Sequence, residues 1–401
     1  MTRSVLAGGK VFDGTGASPA PADVAIEDGR IAGVGPGLSG GESIDVTGKT
    51  LLPGLFDCHV HVVGSHLDTM KYLDTPFSML FYDAARNLET TLRLGITTIR
   101  EAAGADLGIK QAVEDGLIRG PRMQISLNML SQTGGHNDQW MPCGGNLPLE
   151  TPYPGMPHGL VDGPEEMRKK VRELIRDGAD VIKIASSGGF LSAVDDPQRA
   201  HFGPDELEMC VREAAAGGRY VMAHAHGTEG IKHAVRAGVR SIEHGSWLDD
   251  EAIELMLERG TWLVPTLVSG EGTDRALEEG TSMPEAVRVK LREIGHPEFE
   301  SFRLAAEAGV RIAMGTDCPV APHGENLGEL RLMTEHGLSP SQALVAATSS
   351  AAELMGLADE LGTLEAGKRA DVVVVEGDPF EFKTLAERIE AVYKDGERVV
   401  G

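Results

Sequence analysis

The sequence predicts an α/β fold in which a (β/α)8 TIM barrel carries a small β-sandwich built from both ends of the chain. Between residues 51 and 317, eight short apolar runs alternate with longer segments of helical period, which is typical of βα units around a parallel sheet. Short strand-like runs separated by Gly, Pro and Asp stand at both ends. We therefore expect residues 1–53 and 360–401 to form one composite domain and residues 54–359 to form the barrel.

Each end of the chain is too short to close a core by itself. The N-terminal runs occupy residues 4–7, 9–12, 23–26 and 30–34. The C-terminal runs occupy residues 370–375, 389–393 and 398–400, the last of them after a turn at 394–397. Because a few short strands bury little apolar surface alone, the two ends are expected to pair into one split sandwich.

The eight central runs are the expected barrel strands. They cover residues 51–62, 96–100, 122–127, 181–185, 220–224, 241–244, 262–266 and 311–317. Of the segments between them, residues 165–177 place Met167, Val171 and Leu174 on one helical face, and residues 205–216 open with acidic residues suited to a helix N-terminus. Eight βα units in about 300 residues fit the size of a (β/α)8 barrel.

The composition excludes several classes of protein. There are 61 acidic and 37 basic residues, a formal net charge of −24, which argues against binding nucleic acid through its phosphates. No run approaches the roughly 18 apolar residues of a membrane helix, and glycines at positions 8 and 9 interrupt any export signal. Four scattered cysteines fit a reducing cytoplasm. We expect a cytoplasmic homo-oligomer that acts on a small molecule, without nucleic-acid or membrane partners.

The ends of the predicted barrel strands carry residue types that bind metals. In a (β/α)8 barrel the chemistry lies at the carboxyl ends of the strands. The first run ends with His59 and His61, which the two-residue period of a strand points to one face. The fifth, sixth and eighth runs end at His224, His244 and Asp317. Two alternating histidines alone could be surface residues, but five such residues at one rim indicate a divalent metal site.

The fourth run adds a lysine to this rim. Lys183 stands inside the otherwise apolar strand of residues 181–185. A bare ammonium group is costly to bury, so its charge must be compensated. The sequence leaves open whether Lys183 reaches the barrel mouth, pairs with a carboxylate or is chemically modified.

Several motifs together resemble the amidohydrolase superfamily. They are residues 52–61 (LPGLFDCHVH) and 362–371 (GTLEAGKRAD), with the strand-end residues His224, His244 and Asp317. The resemblance covers essentially the whole chain. Residues 131–138 (SQTGGHND) and 180–192 (DVIKIASSGGFLS) are similar to the prolidase-like, imidazolonepropionase-related group. That group contains dipeptidases for Xaa-Pro, Xaa-Arg or Xaa-Lys, amidases for ochratoxin-like N-acyl amino acids and hydrolases of urea herbicides.

This resemblance implies a binuclear metal centre. His59, His61 and Asp317 would bind the more buried ion, and His224 and His244 the second. A CO₂-derived carbamate on Lys183 would bridge two divalent ions, expected to be Zn²⁺. Such a pair lowers the pKa of a bridging water and polarises a substrate carbonyl. Metal-bound hydroxide would then attack, with Asp317 as general base and afterwards general acid.

The resemblance also implies roles for residues around the metals. Asp57 is expected to fix a ligand imidazole. His136, in a Gly-rich loop after the third run, is expected to donate to the carbonyl oxygen or to a substrate carboxylate.

Two more histidines are expected to contact substrate. His226 points with His224 by strand alternation, and His323 follows Asp317 in a loop. Some members of the group carry an aromatic residue where this chain has His226. The sequence therefore does not establish whether this chain makes the contact to the substrate carboxylate that the dipeptidases make. His66 and His296 are expected at the surface.

The predicted function is hydrolysis of an amide bond by a binuclear metal enzyme. The expected substrate is a dipeptide or an N-acyl amino acid, as in Xaa-Pro dipeptidases or ochratoxin amidases. The alternative is a phenylurea, carbamate or cyclic amide without a carboxylate. A non-enzymatic scaffold is disfavoured because all six metal-site residues are present.

Overall fold

Strands of two kinds, parallel and antiparallel, run through the chain. The computed structural model describes residues 3–141, 143–147 and 153–401. Its strands are β1 (Arg3–Ala7), β2 (Lys10–Val11), β3 (Ala20–Pro21), β4 (Asp23–Glu27), β5 (Arg30–Gly35), β6 (Glu42–Asp45), β7 (Lys49–Pro53), β8 (Leu55–Val60), β9 (Ile96–Glu101), β10 (Arg122–Ile125), β11 (Met129–Leu130), β12 (Ile182–Ala185), β13 (Val221–Ala225), β14 (Ser241–His244), β15 (Trp262–Val264), β16 (Val372–Glu376), β17 (Ile389–Lys394) and β18 (Glu397–Val400).

Helices fill most of the connections between the parallel strands. They are α1 (Thr69–Asp74), α2 (Met79–Arg93), α3 (Leu107–Glu114), α4 (Pro164–Arg176), α5 (Pro204–Ala216), α6 (Thr228–Ala237), α7 (Asp250–Arg259), α8 (Val268–Glu278), α9 (Glu285–Ile294), α10 (Pro297–Ala308), α11 (Gly328–Glu335), α12 (Pro340–Ala346) and α13 (Ser349–Leu354), with a 3-10 helix at Phe382–Arg388. Helix α4 illustrates why they form, because it begins with a proline and two acidic residues and buries Met167, Val171 and Leu174.

Two parallel sheets form the centre of the molecule. One has the order β10-β9-β8 and the other the order β11-β12-β13-β14-β15. In the second sheet the register pairs Ala185 with His224 and Ala225 with His244. Because all these strands are parallel, their carboxyl ends lie at one edge of each sheet.

The predicted eighth strand differs from expectation. Within residues 311–317 the chain makes an isolated parallel bridge from Ile312 to Leu263 on β15, and just beyond them Cys318 bridges Val60 on β8. The backbone of Asp317 has a φ of 58°, which takes this residue out of the extended conformation and interrupts a regular ladder. This segment therefore joins an edge of each parallel sheet through isolated bridges and backbone hydrogen bonds, such as that from Cys58 N–H to the Met314 carbonyl oxygen, rather than through a regular strand.

The two ends of the chain share a sheet. Its order is β18-β17-β16-β7-β2-β3, and β16 pairs antiparallel with both β7 and β17. A second sheet, β5-β4-β1-β6, comes from the N-terminal end alone. Leu6 and Ile26 of this sheet pack in one apolar cluster with Leu51, Val372 and Val374 of the other. Both ends of the chain thus contribute strands to one sheet, although the sequence missed β3 and β6. The expected first barrel run, residues 51–62, is divided between β7 of this sheet and β8 of a parallel sheet.

The helices of the described ranges are all unsuited to crossing a lipid bilayer, because none combines the required length with the required apolar character.

Candidate metal centre and active site

Four of the predicted metal-site residues converge at the carboxyl edge of the parallel strands. One ligand atom from each of His59, His244 and Asp317 lies within 4.8 Å of the others. His224, His226 and His244 form a second such group, so His244 belongs to both. The sequence prediction of a histidine-rich rim therefore corresponds to one continuous cluster.

Asp317 ties the histidines of the first strand to this cluster. Its Oδ1 lies 3.3 Å from His59 Nε2 and 3.1 Å from His61 Nε2. Burial opposes ionisation of the carboxyl group, but the two imidazoles outweigh it and hold the pKa of Asp317 well below its ordinary value. A carboxylate and two ring nitrogens thus face one point.

Lys183 on β12 is the sixth predicted member of the site. Its side chain is 1% exposed, and Nζ lies 3.2 Å from His59 Nε2. Within the described ranges no carboxylate oxygen comes within 4.0 Å of this Nζ. Burial lowers the pKa of the Lys183 amine to about 8, so a larger fraction of the amine is neutral and nucleophilic near pH 7 than for an exposed lysine.

The second nitrogen of each ligand imidazole has its own partner. His61 Nδ1 bonds the carbonyl oxygen of Ala103 at 2.8 Å, and His244 Nδ1 bonds the hydroxyl of Thr266 at 2.7 Å. His224 uses Nε2, which lies 3.1 Å from the carbonyl oxygen of Gly188. Burial lowers the pKa values of His224 and His244 well below the ordinary value. Neutral rings held by one nitrogen present the other to a metal.

Glu243 and Arg100 lie directly behind the candidate site, and the sequence analysis did not single them out. Glu243 Oε2 accepts the Nδ1–H of His59 at 2.8 Å, and Arg100 Nη2 donates to both carboxylate oxygens at 2.9 and 3.0 Å. Both side chains are fully buried. Such a carboxylate fixes the tautomer and direction of a ligand imidazole. A charged residue within an apolar strand, the signal used for Lys183, would have found both.

Asp57 acts differently from the expectation. Its carboxylate accepts from the hydroxyl of Thr316 at 2.7 Å and from the side-chain amide of Asn326 at 2.9 Å. It also accepts from the backbone N–H of His59 at 3.2 Å. Asp57 therefore fastens the backbone on both sides of the site, while Glu243 holds the imidazole.

Backbone strain is concentrated at the same rim. His244, Thr266 and Asp317 have φ values of 71°, 53° and 58°, in the left-handed region that non-glycine residues rarely adopt. Such conformations persist when surrounding contacts enforce them, and they cluster at functional sites. Gly315 permits the close approach, since a Cβ there would lie 2.9 Å from the Cβ of His59.

The donor set fits a pair of divalent ions. Neutral imidazole nitrogens and a carboxylate are ligands that Zn²⁺ accepts, and the rim offers both. The two overlapping groups of ligand atoms also suit a bridged pair, as does the Lys183 amine, which lies beside His59 without a carboxylate partner among the described residues. The residues present therefore fit the expected centre.

His136 and His226 lie beside the metal-site histidines. The His136 ring stacks on His224 with centroids 4.1 Å apart, and its Nδ1 bonds the Ser192 hydroxyl at 3.0 Å. His226 stacks on His244 at 4.8 Å, and its Nδ1 bonds the Ser246 hydroxyl at 2.7 Å. Burial lowers the pKa of His226 to about 3, which keeps this ring neutral.

Two cavities meet at this site. Cavity A, of about 100 Å³, is lined by the six metal-site residues together with side chains such as His226, Ser246, Phe190 and Leu291. Cavity B, of about 280 Å³, is lined by side chains such as Tyr72, Phe77, Leu80, Tyr153 and Val287. His61, His136 and Asp317 line both cavities.

Three other histidines lie in positions that differ from those predicted from the sequence. His323 lies outside the residues that line the two cavities, and its Nε2 bonds the backbone carbonyl of His61 at 3.0 Å. His323 therefore lies behind His61, where it is placed to hold the His61 backbone. His296 lines cavity A and His66 lines cavity B, so neither is a plain surface residue.

Comparisons with known proteins agree with this geometry. The family described as the Amidohydrolase family matches residues 50–399. Ochratoxinase of Aspergillus niger is 37% identical over 370 residues, which cover 88% of this chain and 76% of the relative.

Solved structures give the same picture. A Xaa-Pro dipeptidase with bound methionine in its active site superposes with a TM-score of 0.90 at 34% identity, over 100% of both chains. A prolidase complexed with N-methylphosphonate-L-proline gives a TM-score of 0.91 at 36% identity, also over 100% of both chains. Phenylurea hydrolase B shares the fold, with a TM-score of 0.79 at 22% identity over 99% of this chain and 97% of its own.

Proposed function

The chain belongs to the amidohydrolase family, and from this premise we propose that it cleaves amide bonds whose leaving group is an amino acid with a free carboxylate. It is a hydrolase of carbon–nitrogen bonds. The observation that carries the proposal is the buried Lys183 beside the ligand cluster, whose Nζ has no carboxylate oxygen within 4.0 Å among the described residues. A buried amine of this kind needs a compensating modification or ion.

The proposed centre holds two divalent ions, with Zn²⁺ as the expected metal. The residues that would hold them are His59, His61 and Asp317 for one ion, His224 and His244 for the other, and a carbamate on Lys183 between them. When bound, such ions lower the pKa of water and polarise the substrate carbonyl.

The chain's own residues supply proton transfer and orientation. Asp317 Oδ1 would take the proton from the attacking water and hand it to the leaving nitrogen, which is general base followed by general acid catalysis. His136 would present Nε2 to the substrate and would donate from it as the doubly protonated ring, since Nδ1–H is bonded to the Ser192 hydroxyl, which itself donates to Asp195. Glu243 would keep the His59 ring in one orientation through Nδ1.

The proposed substrates are Xaa-Pro-like dipeptides and N-acyl amino acids. Relatives named ochratoxinase, prolidase and Xaa-Pro dipeptidase, at 34–37% identity, support this choice. The alternative of a phenylurea or carbamate has weaker support, because phenylurea hydrolase B is similar in fold alone. His226 is proposed as a substrate contact because it lines cavity A. His323, predicted as a second contact, lines neither cavity and is proposed to support His61 instead.

A matched substrate panel tests the proposal. Each amide is offered with a free C-terminal carboxylate, as its C-terminal amide, and without any carboxyl group. We expect at least a tenfold loss in kcat/KM when the carboxylate is removed, because a donor left without its anion costs about 2 kcal/mol. His136→Ala should raise KM for the free acid more than for the amide. Equal cleavage of acids, amides and ureas would refute the proposal and favour the alternative.

We also infer the finer architecture from the pairing of the strands. The bridges of residues 312 and 318 to β15 and β8 support closure of the parallel strands into one (β/α)8 barrel. The shared sheet and shared apolar cluster support a composite β-sandwich of residues 1–53 and 360–401 around a barrel of residues 54–359. Residues 1 and 2 lie outside the described ranges. The homo-oligomeric state and the cytoplasmic compartment stay predictions.

A further inference from the structure

Cavities A and B meet at the proposed metals, and we propose that they divide the substrate between them. Cavity B takes a bulky apolar acyl group, and cavity A takes the leaving amino acid. This assignment rests on the proposed function. His61, His136 and Asp317 line both cavities, so an amide bond held beside Asp317 has space on either side.

The lining of cavity B suits an uncharged aromatic group. Phe77 and Tyr153 pack edge to face with ring centroids 5.3 Å apart, and Phe81 packs behind them. Among the described residues that line cavity B, none is a lysine or arginine, and Asp317 is the only acid. An aromatic wall without a charge partner favours apolar surface and edge-to-face ring contacts.

Cavity A offers donors for a carboxylate. His136 and His226 both use Nδ1 in bonds to serine hydroxyls. Their Nε2 atoms have no hydrogen-bond partner in the part of the chain that the structure describes, and both rings line cavity A. When Nε2 is protonated on both rings, the two imidazoles can bind the carboxylate of a leaving amino acid, while Phe190 and Leu291 contact its side chain.

Helix α9 provides a matched pair of test positions. Val287 lines cavity B and Leu291 lines cavity A, one helical turn apart. Val287 is 1% exposed, so a change in its volume is felt in cavity B. Substitutions at these two positions therefore alter the two cavities from one helix.

The experiment is a specificity crossover. The acyl series is N-acetyl-, N-benzoyl- and N-naphthoyl-phenylalanine, and the leaving-group series is N-benzoyl-glycine, -alanine and -phenylalanine. The wild type should prefer naphthoyl over acetyl. Val287→Trp should lower the naphthoyl-to-acetyl ratio of kcat/KM about tenfold, and Val287→Ala should raise it. Leu291→Trp and Leu291→Ala should shift the phenylalanine-to-glycine ratio in the same directions.

Each outcome has a defined meaning. The alanine variants keep the test decisive if a tryptophan variant fails to fold. Val287 variants that alter leaving-group preference would overturn the orientation, and unchanged ratios would overturn the division itself. If the wild type cleaves these amides but the crossover is missing, only the cavity assignment fails. If it cleaves none of them but cleaves Xaa-Pro dipeptides, the assignment of an acyl group to cavity B fails while the proposed function stands. If it cleaves neither class, both fail.

A hydrogen-bond network beneath His136 carries a second, independent inference. Lys290 on α9 donates from Nζ to the carbonyl oxygens of Gly189 and Asp195 at 2.8 and 2.9 Å, and to Asp195 Oδ1 at 3.0 Å. We infer that Lys290 is a positioning residue for His136. It acts through Asp195, since it lies outside the residues that line either cavity.

Asp195 connects the lysine to the imidazole. Its side chain is 1% exposed, Oδ2 lies 3.6 Å from His136 Nδ1, and the Ser192 hydroxyl bonds both groups. A buried carboxylate of this kind needs the Lys290 charge to remain ionised and fixed. The loop lies directly against the ring, since a Cβ on Gly189 would lie 2.1 Å from His136 Cε1. Loss of Lys290 would release both the loop and the ring.

A double-mutant cycle separates positioning from simple stabilisation. Lys290→Met should lower kcat/KM about tenfold in the wild type but less than about twofold in His136→Ala, because the effect passes through His136. Lys290→Arg should restore part of the activity. Arg292→Met, an exposed neighbour on the same helix, is the control, and metal content should stay unchanged throughout.

Equal losses in both backgrounds would assign Lys290 a purely structural role and overturn the inference, as would full activity of Lys290→Met. If Lys290→Met does not fold, Ser192→Ala takes its place in the cycle. This change removes the hydroxyl that bonds both Asp195 and His136, and additive losses would again overturn the inference.

Discussion

Substitution of Glu243 by Gln tests how a buried carboxylate supports His59, a proposed metal ligand, through its Nδ1 atom. The carboxylate is fully buried and bonds both His59 and Arg100. Glu243→Gln keeps the shape of the side chain but removes the charge that balances the guanidinium. The variant should therefore lose stability even without metal, and it should bind metal about 10- to 100-fold more weakly.

The size of the stability loss follows from the pKa of Glu243. Burial by itself raises this pKa, but Arg100 and His59 outweigh burial and lower it from 4.5 to about 2. At about 1.36 kcal/mol for each pKa unit, the ionised group contributes about 3 kcal/mol. The loss of one partner of a buried ion pair costs about 3–5 kcal/mol, which agrees. With an unfolding entropy near 2.1 cal/mol/K per residue over 401 residues, Tm should fall by about 4 °C.

Calorimetry on chelator-treated protein measures this loss directly. Because the folded-state pKa is lowered, the contribution of Glu243 is complete above about pH 4.5 and disappears as the pH falls toward 2. Glu258→Gln, an exposed acid of α7, is the matched control and should stay within about 0.5 kcal/mol of wild type. A Tm of Glu243→Gln equal to that of this control at neutral pH would refute the reasoning.

Two other changes give further tests. Lys183→Ala should abolish most activity, and acetate or propionate should restore part of it by standing in for the carbamate; unchanged activity in this variant would exclude a bridging role. The carboxylates of Glu298 and Asp274 raise the pKa of His296 to about 9, so the protonated ring stabilises the fold fully below about pH 6.5 and less as the pH rises to 9. The Tm of His296→Gln should therefore lie below that of the wild type at about pH 6, and the two Tm values should be equal above about pH 9.5. A difference that persists at high pH would contradict the assignment.

The convergence of the strand-end residues could be predicted because parallel strands have a fixed polarity. Once the runs ending at His59, His224 and His244 are assigned to parallel strands, their carboxyl ends must lie at one edge. Family membership and hydrolysis of carbon–nitrogen bonds, both predicted from the motifs, are confirmed by the comparisons. The individual roles of the site residues stay predictions.

Residues that reach the site through tertiary packing left no periodic signal. Lys290 and His296 come from α9 and the start of α10, and neither helix pattern marks them as different from surface charges. The irregular eighth strand was also unpredictable, because the left-handed φ of Asp317 depends on its surroundings rather than on its own propensity. Glu243 and Arg100 could have been predicted, since each is a charged residue within an otherwise apolar strand.

Metal content is the measurement that tests the central claim most directly. Inductively coupled plasma mass spectrometry on the active, purified protein should find about two divalent ions per chain. The ratio should fall to about one or below in His244→Ala, because His244 belongs to both groups of ligand atoms. Full activity in wild-type protein that contains no stoichiometric metal would contradict the account.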